Sequence, residues 1–460
     1  MTTNYDAIII GAGQAASPLA VKLANAGMKV AIIECHLFGG TCVNTGCIPT
    51  KTLIASAYAA HITKQAHEFG VVINGSINVD MKKIKARMDK IRQKYQSDTE
   101  SWLHRTKNCT IYKGTASFEN AHTVRVNNEL LEAKLIFIDV GGRAVIPPMP
   151  GINQIKYLTN SSMMDIDELP EHLVIVGGSY IGLEFAQMYS RFGSKVSVVE
   201  KMDRLIAHED QDVSEAVKAI LENEGINIHL KAECIAFEKR GDKIVAKLHC
   251  DDPSKEAVGS HLLMAIGRRP NTDDLGLANA GIKTDAQGYI IVDDQLQTNV
   301  PGIYALGDVN RKGAFTHTAY NDYEIVAGNL LNKENRRVSD RITTYALFID
   351  PALGRVGLTE DQVRQSGREA LIAKFPMNRV KRAVIKNETQ GFMKILIDAK
   401  TNQILGAAIL GVEGDEIIHS ILDVMYARAP YTLLARAMHI HPTVSELIPY
   451  MLETEVKPLA

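Results

Sequence analysis

Two cysteines five positions apart carry the most reactive chemistry in this sequence. Cys42 and Cys47 lie in the stretch FGGTCVNTGCIPTK. In an ideal helix, residues five apart have Cα atoms roughly 8–9 Å apart, whereas a disulfide needs about 4.4–6.8 Å. If the two cysteines are bridged, they cannot share a regular helix, and Gly46 offers the backbone freedom for a distorted one. Such a bridge is expected to be strained and reducible, as redox chemistry requires.

The surroundings of Cys47 favour its thiolate. Pro49 suits a first helical turn, so Cys47 is predicted near a helix N-terminus, where the dipole and Lys51 stabilise negative charge. Metal binding is the alternative, but it needs two further ligands, and no second cysteine or histidine pair has suitable spacing. The other cysteines are scattered along the chain: Cys35, Cys109, Cys234 and Cys250. This pattern excludes a secreted disulfide framework and predicts a cytoplasmic protein with a redox disulfide and no metal.

A histidine near the carboxyl end is a candidate acid–base group. His441 is followed by Pro442, which fixes the local backbone, and by Glu446, whose carboxylate could orient the ring. A dithiol that attacks at neutral pH needs a base, since an unperturbed thiol is only a few per cent ionised. A structural or merely exposed histidine is the alternative, and the residues alone leave both open.

Composition excludes several classes of function. The 460 residues predict about three domains with ample buried core. The formal charge of -2 provides no field that would recruit nucleic acid or a membrane surface. No stretch approaches the roughly 18 consecutive apolar residues of a membrane span, and the start MTTNYDAIIIGAG has no signal-peptide pattern.

The elements that must position these groups begin at the amino terminus. A short apolar strand, residues 6–10, is followed by a glycine turn, a helix to about residue 25, and a strand over 29–33 that leads to Glu34. Gly11 permits the tight turn, Gly13 lets the backbone approach a pyrophosphate, and Ala16 permits close helix packing. Glu34 is placed to bind ribose hydroxyls. This unit predicts one bound dinucleotide.

A second copy of the unit follows, with a strand over 173–176, a glycine turn, a helix to about 191 and a strand over 195–199. Gly177 and Glu200 each lie 166 residues after their counterparts Gly11 and Glu34. Two units predict two dinucleotides and an enzyme that passes electrons between them. Ser179 replaces the second glycine, but serine is small enough to keep close backbone approach possible.

The carboxylate of Glu200 bears on cofactor choice. It would accept hydrogen bonds from a ribose 2′-OH and repel a 2′-phosphate, which favours NADH over NADPH. The neighbouring Lys201 and Arg204 weaken that preference.

The order of elements predicts an α/β fold with two Rossmann-like dinucleotide-binding domains and a C-terminal α+β domain. Glycine turns at Gly267 and at Gly307-Asp308 each end a strand, so the chain is expected to return to the first domain near residue 270. We predict a first domain of residues 1–147 and 271–340, a second of 148–270, and a third of 341–460.

These features together resemble the class I pyridine nucleotide–disulfide oxidoreductases over essentially the whole chain. That family includes dihydrolipoamide dehydrogenase, glutathione reductase and mercuric reductase, and the motif GGTCVNTGCIPTK is highly specific for it. The resemblance implies non-covalent FAD, one per subunit, at the first unit and NADH or NADPH at the second. It also implies a homodimer joined through residues 341–460, and an oxidised small molecule or disulfide as substrate.

The resemblance assigns roles to the reactive residues. Cys42 would attack the substrate, and Cys47 would be the thiolate in charge transfer with the flavin. Lys51 would lie near flavin N5, paired with Glu184. His441, supported by Glu446, would be the acid–base group that reaches the disulfide of the other subunit.

Further residues would contact the cofactors. Asp308 would bind the ribityl chain of the flavin, and Tyr180 would be a lid over the nicotinamide pocket. The remaining cofactor contacts implied are Gly11, Gly13, Ala16, Glu34, Gly40, Thr41, Lys51, Gly177, Ser179, Gly182, Glu200 and Gly267.

Within the family, Thr50, Tyr180 and the segment Phe315–Tyr323 resemble a mercuric-reductase-like branch that includes the reactive-chlorine-resistance flavoprotein. No cysteine follows Cys250, so the vicinal pair that ends mercuric reductases is missing and efficient Hg(II) reduction is not expected. Three hypotheses follow. The chain is an NAD(P)H-dependent reductase of small oxidants or disulfides, a dihydrolipoamide dehydrogenase running toward NADH, or a redox-sensing flavoprotein with little turnover.

Overall fold

The computed structural model describes residues 2–232, 235–249 and 255–459, so Cys234 and Cys250 lie outside the described residues. The strands of the first third of the chain are β1 (Thr2–Asn4), β2 (Ala7–Ile10), β3 (Val30–Glu34), β4 (Cys109–Lys113), β5 (Ala116–Asn120), β6 (Thr123–Val126), β7 (Glu129–Glu132), β8 (Leu135–Ile138) and β9 (Gly142–Ala144). Those of the middle are β10 (His172–Val176), β11 (Lys195–Val199), β12 (Asn227–His229), β13 (Ala236–Arg240), β14 (Lys243–Lys247), β15 (Glu256–Gly259), β16 (His261–Met264) and β17 (Arg268–Pro270).

The carboxyl-terminal third contributes the strands β18 (Ile303–Ala305), β19 (Thr344–Leu347), β20 (Leu353–Gly357), β21 (Ala370–Pro376), β22 (Phe392–Asp398), β23 (Ile404–Leu410) and β24 (Lys457–Pro458). The helices are α1 (Ala16–Asn25), α2 (Gly40–Asn44), α3 (Cys47–Gln65), α4 (Met81–Arg105), α5 (Tyr180–Phe192), α6 (Gln211–Asn223), α7 (Thr316–Asn332), α8 (Glu360–Gln365), α9 (Lys381–Ile385), α10 (Gly414–Tyr426), α11 (Thr432–Ala435) and α12 (Leu447–Thr454). No helix of the described segments is both long and apolar enough to cross a membrane.

The first glycine turn belongs to a parallel sheet in the order β18-β8-β2-β3-β4. Strand β2 is buried along its length, as expected for the centre of a parallel sheet covered on both faces. The sheet reaches its edge strand β18 from residues that follow β17. The carboxyl ends of β2, β8 and β18 therefore meet at one crevice, where open α/β sheets bind their ligands.

The second glycine turn belongs to another parallel sheet, in the order β12-β11-β10-β16, beside an antiparallel sheet β13-β14-β15. The two parallel sheets are joined by a short antiparallel ribbon, in which Ala144 of β9 pairs with Arg268 of β17. The chain enters and leaves the second sheet through these neighbouring strands.

The carboxyl-terminal part forms a mostly antiparallel sheet in the order β19-β20-β23-β22-β21-β24, covered by α10 and α12. The sequence pattern from residue 343 indicates one strand before the first helix, but the structure has two, β19 and β20, which pair with each other. The apolar cluster that joins α3, α4, α5 and this sheet includes Leu53, Met88, Phe185 and Leu353. This cluster therefore packs the helix that follows the cysteines against both the second dinucleotide unit and the carboxyl-terminal sheet.

Candidate active site

The two cysteines lie on different helices. Cys42 is inside α2, Cys47 is the first residue of α3, and the chain breaks the helix at Gly46, with φ −132° and ψ −119°. A Cβ at Gly46 would lie 2.9 Å from the carbonyl oxygen of Thr41, so glycine is needed at this break. Both side chains are half-buried free thiols that share a hydrogen bond.

The two sulfurs have opposite acidities. The hydrogen bond from Cys42 is the main cause that lowers the pKa of Cys47, and it outweighs burial. Thr316 Oγ1, 3.2 Å from Cys47 Sγ at the start of α7, and the ammonium of Lys51 act in the same direction. The hydrogen bond to Cys47 and burial raise the pKa of Cys42. The hydrogen bond thus favours the thiolate at Cys47 and the thiol at Cys42. Thr316 is a contact that sequence reasoning missed.

Lys51 connects the cysteine helix to the second dinucleotide unit. Its Nζ lies 2.7 Å from Oε2 of Glu184, a buried residue on α5. The other carboxylate oxygen of Glu184 accepts from the backbone N–H of Phe348 at 3.2 Å, and Lys51 Nζ lies 4.4 Å from the centre of the Phe348 ring. The structure thus brings together the predicted pair Lys51 and Glu184.

Tyr180 begins α5 and lies within an aromatic cluster. Its ring contacts Phe315 and Tyr345 edge-on, with ring centres 6.2 Å and 5.5 Å away. The hydroxyl of Tyr345 donates to Oε1 of the buried Glu209 at 2.6 Å. Sequence reasoning missed Tyr345 and Glu209, because neither belongs to a motif and they are far apart in the chain.

A network of buried charges continues from Glu209. Asp210, Asp212 and Glu360 converge in the way that metal ligands do. Lys394 Nζ lies between them, at 2.8 Å, 2.7 Å and 2.6 Å respectively. The lysine is fully buried, so its ammonium balances the three carboxylates and links α6 to β22 and α8.

The first glycine turn has little free space. Gly11 has φ +100°, and a Cβ there would lie 2.2 Å from the carbonyl oxygen of Asp139. A Cβ at Gly13 would lie 2.8 Å from Oδ2 of the same residue, and one at Gly40 would lie 3.0 Å from the Cα of Gly13. Ala16 is the first residue of α1.

The carboxylate that ends the first unit is held by the backbone. Glu34 accepts from the N–H groups of Ala12 and His36, both at 2.8 Å. Glu200 makes the same pair of contacts in the second unit, from Gly178 at 2.6 Å and Met202 at 2.8 Å. The 166-residue repeat therefore extends to individual hydrogen bonds.

The second glycine turn repeats the close approach of the first, although α5 begins two positions earlier in the repeat than α1. Gly177 has φ +117°, and a Cβ there would lie 2.3 Å from the carbonyl oxygen of Ala265. A Cβ at Gly182 would lie 2.0 Å from the carbonyl oxygen of Gly177. Ser179 is the extended residue before α5. It occupies the position of Gly13, and Ala265, which has no carboxylate, occupies the position of Asp139.

Asp308 lies in the short turn Gly307–Asn310, beside a cavity of about 150 Å³ that is also lined by Gly142 and Arg268. Burial raises the pKa of Asp308, and Arg268, whose Nε lies 3.4 Å from it, opposes that shift. Arg268 also lies 3.5 Å from Thr41 Oγ1. Gly267, one residue earlier, needs its glycine for φ +138° rather than for space, since a Cβ there would lie 3.5 Å from Val145.

His441 stands apart from the cysteines. Its Nδ1 lies 2.8 Å from Oε2 of Glu446, and its side chain is 64% exposed. Among the described residues, no hydrogen bond or ion pair joins His441 to Cys42 or Cys47 of its own chain. Met438 and Ile440 beside it are 99% and 79% exposed.

Comparison with known proteins identifies the class. The pyridine nucleotide-disulphide oxidoreductase family matches residues 5–322, and its dimerisation domain matches residues 343–452. The chain belongs to this family, whose members use FAD and a pyridine nucleotide. It is therefore a flavin-dependent oxidoreductase, and the prediction of an α/β fold with a separate dimerisation domain is confirmed.

Individual relatives narrow the comparison. The chain is 36% identical to the probable pyridine nucleotide-disulfide oxidoreductase RclA of Escherichia coli over 451 residues, 96% of this chain and 97% of that one. It is 31% identical to a mercuric reductase of Bacillus cereus, covering 95% and 71%, and 31% identical to a dihydrolipoyl dehydrogenase of Thermus scotoductus, covering 96% and 95%. A solved structure of the HOCl-induced flavoprotein disulfide reductase RclA matches with a TM-score of 0.88 at 35% identity, covering 98% and 100%.

The residues of the first unit fit FAD. Positions 11 and 13 leave no room for a side chain where a dinucleotide backbone must approach. Glu34 ends the second strand of the unit, and the half-buried Asp308 lies beside a cavity at the same crevice. The glycine turn and these two carboxylates, which accept hydrogen bonds from sugar hydroxyls, are groups that a flavin dinucleotide needs.

Proposed function

We propose that the chain is a homodimeric reductase that passes electrons from NADH through Cys42 and Cys47 to an oxidised small molecule or disulfide. The observation that carries this proposal is the position of the thiol pair, with the Lys51–Glu184 ion pair joining it to the second dinucleotide unit. We assign residues 1–147 and 271–340 to the flavin, 148–270 to the nucleotide and 341–460 to the dimer.

FAD bound at the first unit would supply a two-electron carrier between the nicotinamide and the disulfide. Gly11, Gly13 and Glu34 would hold its pyrophosphate and ribose, and Asp308 its ribityl chain. The two electrons break the Cys42–Cys47 bond, and one proton is taken up. The products are a thiol at Cys42 and a thiolate at Cys47, the state that the acidities favour.

The acceptor reacts at Cys42. When Cys42 loses its proton, its sulfur attacks an acceptor disulfide, and the acceptor S–S bond breaks to release one thiolate. Cys47 then attacks the mixed disulfide at Cys42, which re-forms the Cys42–Cys47 bond and releases the second thiolate. Both leaving thiolates need protons.

His441 is the proposed proton carrier. It is exposed and oriented by Glu446, and it does not contact the cysteines of its own chain, which supports a site completed by His441 of the partner subunit. The dimerisation domain at residues 343–452 and the exposed Met438 and Ile440 beside the histidine support the same arrangement.

NADH is the proposed donor because Glu200 occupies the ribose position. Its carboxylate is held by Gly178 and Met202, so it is fixed where a 2′-phosphate would have to lie. Arg204 donates to the carbonyl of Ala207, so in this structure it is not directed at the nucleotide.

A panel of acceptors tests the proposal. The relatives suggest its members, since one is a mercuric reductase and RclA is described as HOCl-induced and as a Cu(II) complex. Purified holoenzyme should oxidise NADH faster than NADPH with at least one of a small disulfide, hypochlorite, Cu(II) or Hg(II). Rapid NAD⁺ reduction by dihydrolipoamide, with none of these acceptors consumed, would instead identify a dihydrolipoamide dehydrogenase.

Cysteine variants separate an enzyme from a sensor. Cys42→Ser should lose acceptor reduction while NADH still reduces the flavin and the Cys47 thiolate keeps its charge-transfer absorption. Cys35→Ser is the matched control, since Cys35 is an exposed thiol outside the pair. If Cys42→Ser turns over like the control, the assigned thiol chemistry is wrong. If wild type reduces its flavin but consumes no acceptor, the sensor hypothesis is favoured.

A further inference from the structure

A buried carboxyl group, that of Asp139, packs against the first glycine turn. Asp139 follows β8, and its backbone N–H donates to the carbonyl of Ile10 at 2.8 Å. Its Oδ2 accepts from the backbone N–H groups of Ala15 at 3.2 Å and Ala16 at 2.9 Å. The side chain therefore takes two of the free amide donors at the start of α1, the end of a helix that favours negative charge.

The second unit has no such group. Ala265 follows β16 and donates its N–H to Val176 at 2.8 Å, as Asp139 does to Ile10. The carbonyls of Asp139 and Ala265 face Gly11 and Gly177 in the same way. The carboxyl is thus present at only one of two turns whose first glycine meets the same neighbouring carbonyl. The helix starts also differ, since α1 begins two positions later in the repeat than α5.

The charges around Asp139 are mostly negative. Asp308, in the turn after β18, and Asp322, on α7, both face it and raise its pKa further. Each of these has a cationic partner, Arg268 for Asp308 and Arg341 for Asp322. Among the described residues Asp139 has no ion pair of its own, and α1 brings only backbone amides to it.

A dinucleotide pyrophosphate binds at the N-terminus of the helix that follows the glycine turn. An ionised Asp139 would repel the pyrophosphate. It would also keep the amides of Ala15 and Ala16, which face the pyrophosphate site, bound to its own carboxylate. We propose that Asp139 is a positioning residue of the flavin site that must be protonated while FAD is bound, so that the protein holds FAD less tightly as the pH rises. This inference rests on the flavin site described above.

The direction of the pH effect follows from the burial. Burial raises the pKa of Asp139 to about 8, while the two backbone amides oppose that rise. Below this pH the apoprotein already carries the proton, and FAD affinity should be constant. Above it, binding must take up one proton, and the dissociation constant should rise up to about tenfold per pH unit.

The experiment is a titration of the apoprotein with FAD, followed by flavin fluorescence between pH 6.5 and 9.5. Wild type should bind with a constant affinity at the acid end and about tenfold more weakly one unit above the apparent pKa. Asp139→Asn keeps an acceptor oxygen for Ala15 and Ala16 but cannot ionise, so its affinity should stay level across the range. A flat wild-type profile, or a slope retained in Asp139→Asn, overturns the proposal.

Two further measurements keep the test decisive. If Asp139→Asn does not fold, calorimetry of wild type in buffers of different ionisation enthalpy should show close to one proton taken up per FAD at pH 9 and none at pH 7; no uptake at pH 9 overturns the proposal. NADH binding to holoenzyme is the internal control, because Ala265 cannot titrate, and it should lack this slope. An equal slope for NADH would also count against Asp139. Neither result depends on which acceptor the enzyme reduces.

Discussion

The two dinucleotide units share a glycine turn and a terminal carboxylate, but they differ in where the helix begins and in what surrounds the turn. Both have a glycine at positive φ against the carbonyl of a neighbouring strand, and both end in a carboxylate held by two backbone amides. In the first unit Asp139 and Gly40 pack against the turn. In the second, the corresponding space contains Ser179 and Ala265, and the aromatic ring of Tyr180 begins the helix.

This difference matches two kinds of occupant. A flavin that stays bound through many turnovers suits a turn enclosed by the rest of the chain. A nicotinamide nucleotide that must enter and leave at every turnover would suit a site with a side chain that can move, the role expected of Tyr180. The same local motif would thus bind either a permanent flavin or an exchanging nucleotide. Residues distant in sequence would decide between the two.

The largest expected effect comes from making the first unit resemble the second. Gly13→Ser places a Cβ 2.8 Å from Asp139 Oδ2. Overpacking of this kind costs about 1–3 kcal/mol, so FAD affinity should fall about tenfold to a hundredfold. Titration of the apoprotein with FAD measures it.

The control is the double variant Gly13→Ser with Asp139→Ala, which reproduces the pair Ser179 and Ala265. It should recover most of the lost affinity, and a double variant as weak as Gly13→Ser would show that the carboxyl is not what excludes the serine. The reciprocal Ser179→Gly should change NADH affinity by about twofold or less, since Ala265 has no carboxylate to meet the side chain at that position.

A smaller effect should separate the two carboxylates. Glu200→Gln removes the charge that opposes a 2′-phosphate, and hydrogen bonds to charged groups are worth about 1.5–3 kcal/mol. The ratio of kcat/KM for NADH over NADPH should therefore fall by about tenfold or more. Glu34→Gln, the matched change in the first unit, should leave that ratio unchanged and weaken FAD retention instead. A shift in the ratio from both variants would mean that the units are not independent.

The smallest effect concerns Tyr180, the residue proposed as a lid over the nicotinamide. Tyr345→Phe removes the hydroxyl that donates to Glu209 and loosens the cluster that holds Tyr180. With Tyr180 easier to displace, the KM for NADH should fall about two- to fivefold at nearly constant kcat. Tyr304→Phe, on the edge strand β18, removes a hydroxyl that accepts from Gln297 and should leave the KM for NADH unchanged. Equal KM values in wild type and Tyr345→Phe would show that Tyr345 does not restrain the lid.

Local patterns predicted the motifs because their residues lie close in sequence. The strand–turn–helix units, the helix start at Cys47 and the pairing of His441 with Glu446 all depend on neighbours within about 25 residues. The family, its FAD and its pyridine nucleotide are confirmed. The roles assigned to single residues stay predictions.

What the sequence did not reveal are contacts made across the fold. Asp139 is 123 positions from Ala16, and Tyr345 is 136 from Glu209. Periodicity carries no information about such pairs, since tertiary packing alone creates them. Asp139 did leave one signal: a carboxylate directly after a buried parallel strand lies at the edge where ligands bind. Whether His441 lies near a cysteine pair depends on the position of a second chain, and the sequence of one chain does not give that position.

The ribbon formed by β9 and β17 has a consequence for how such a protein can be rebuilt. Ala144 and Arg268 are paired neighbours, so the segment between them leaves and rejoins the rest of the chain at one place. A segment with adjacent ends can be exchanged for a homologous one without rerouting any other strand. Nucleotide choice could then be altered by transplanting residues 145–267 whole. The grafted surface would have to supply the partners that this segment gives to the rest of the chain, among them those of Lys51, Lys394, Lys374 and Arg355.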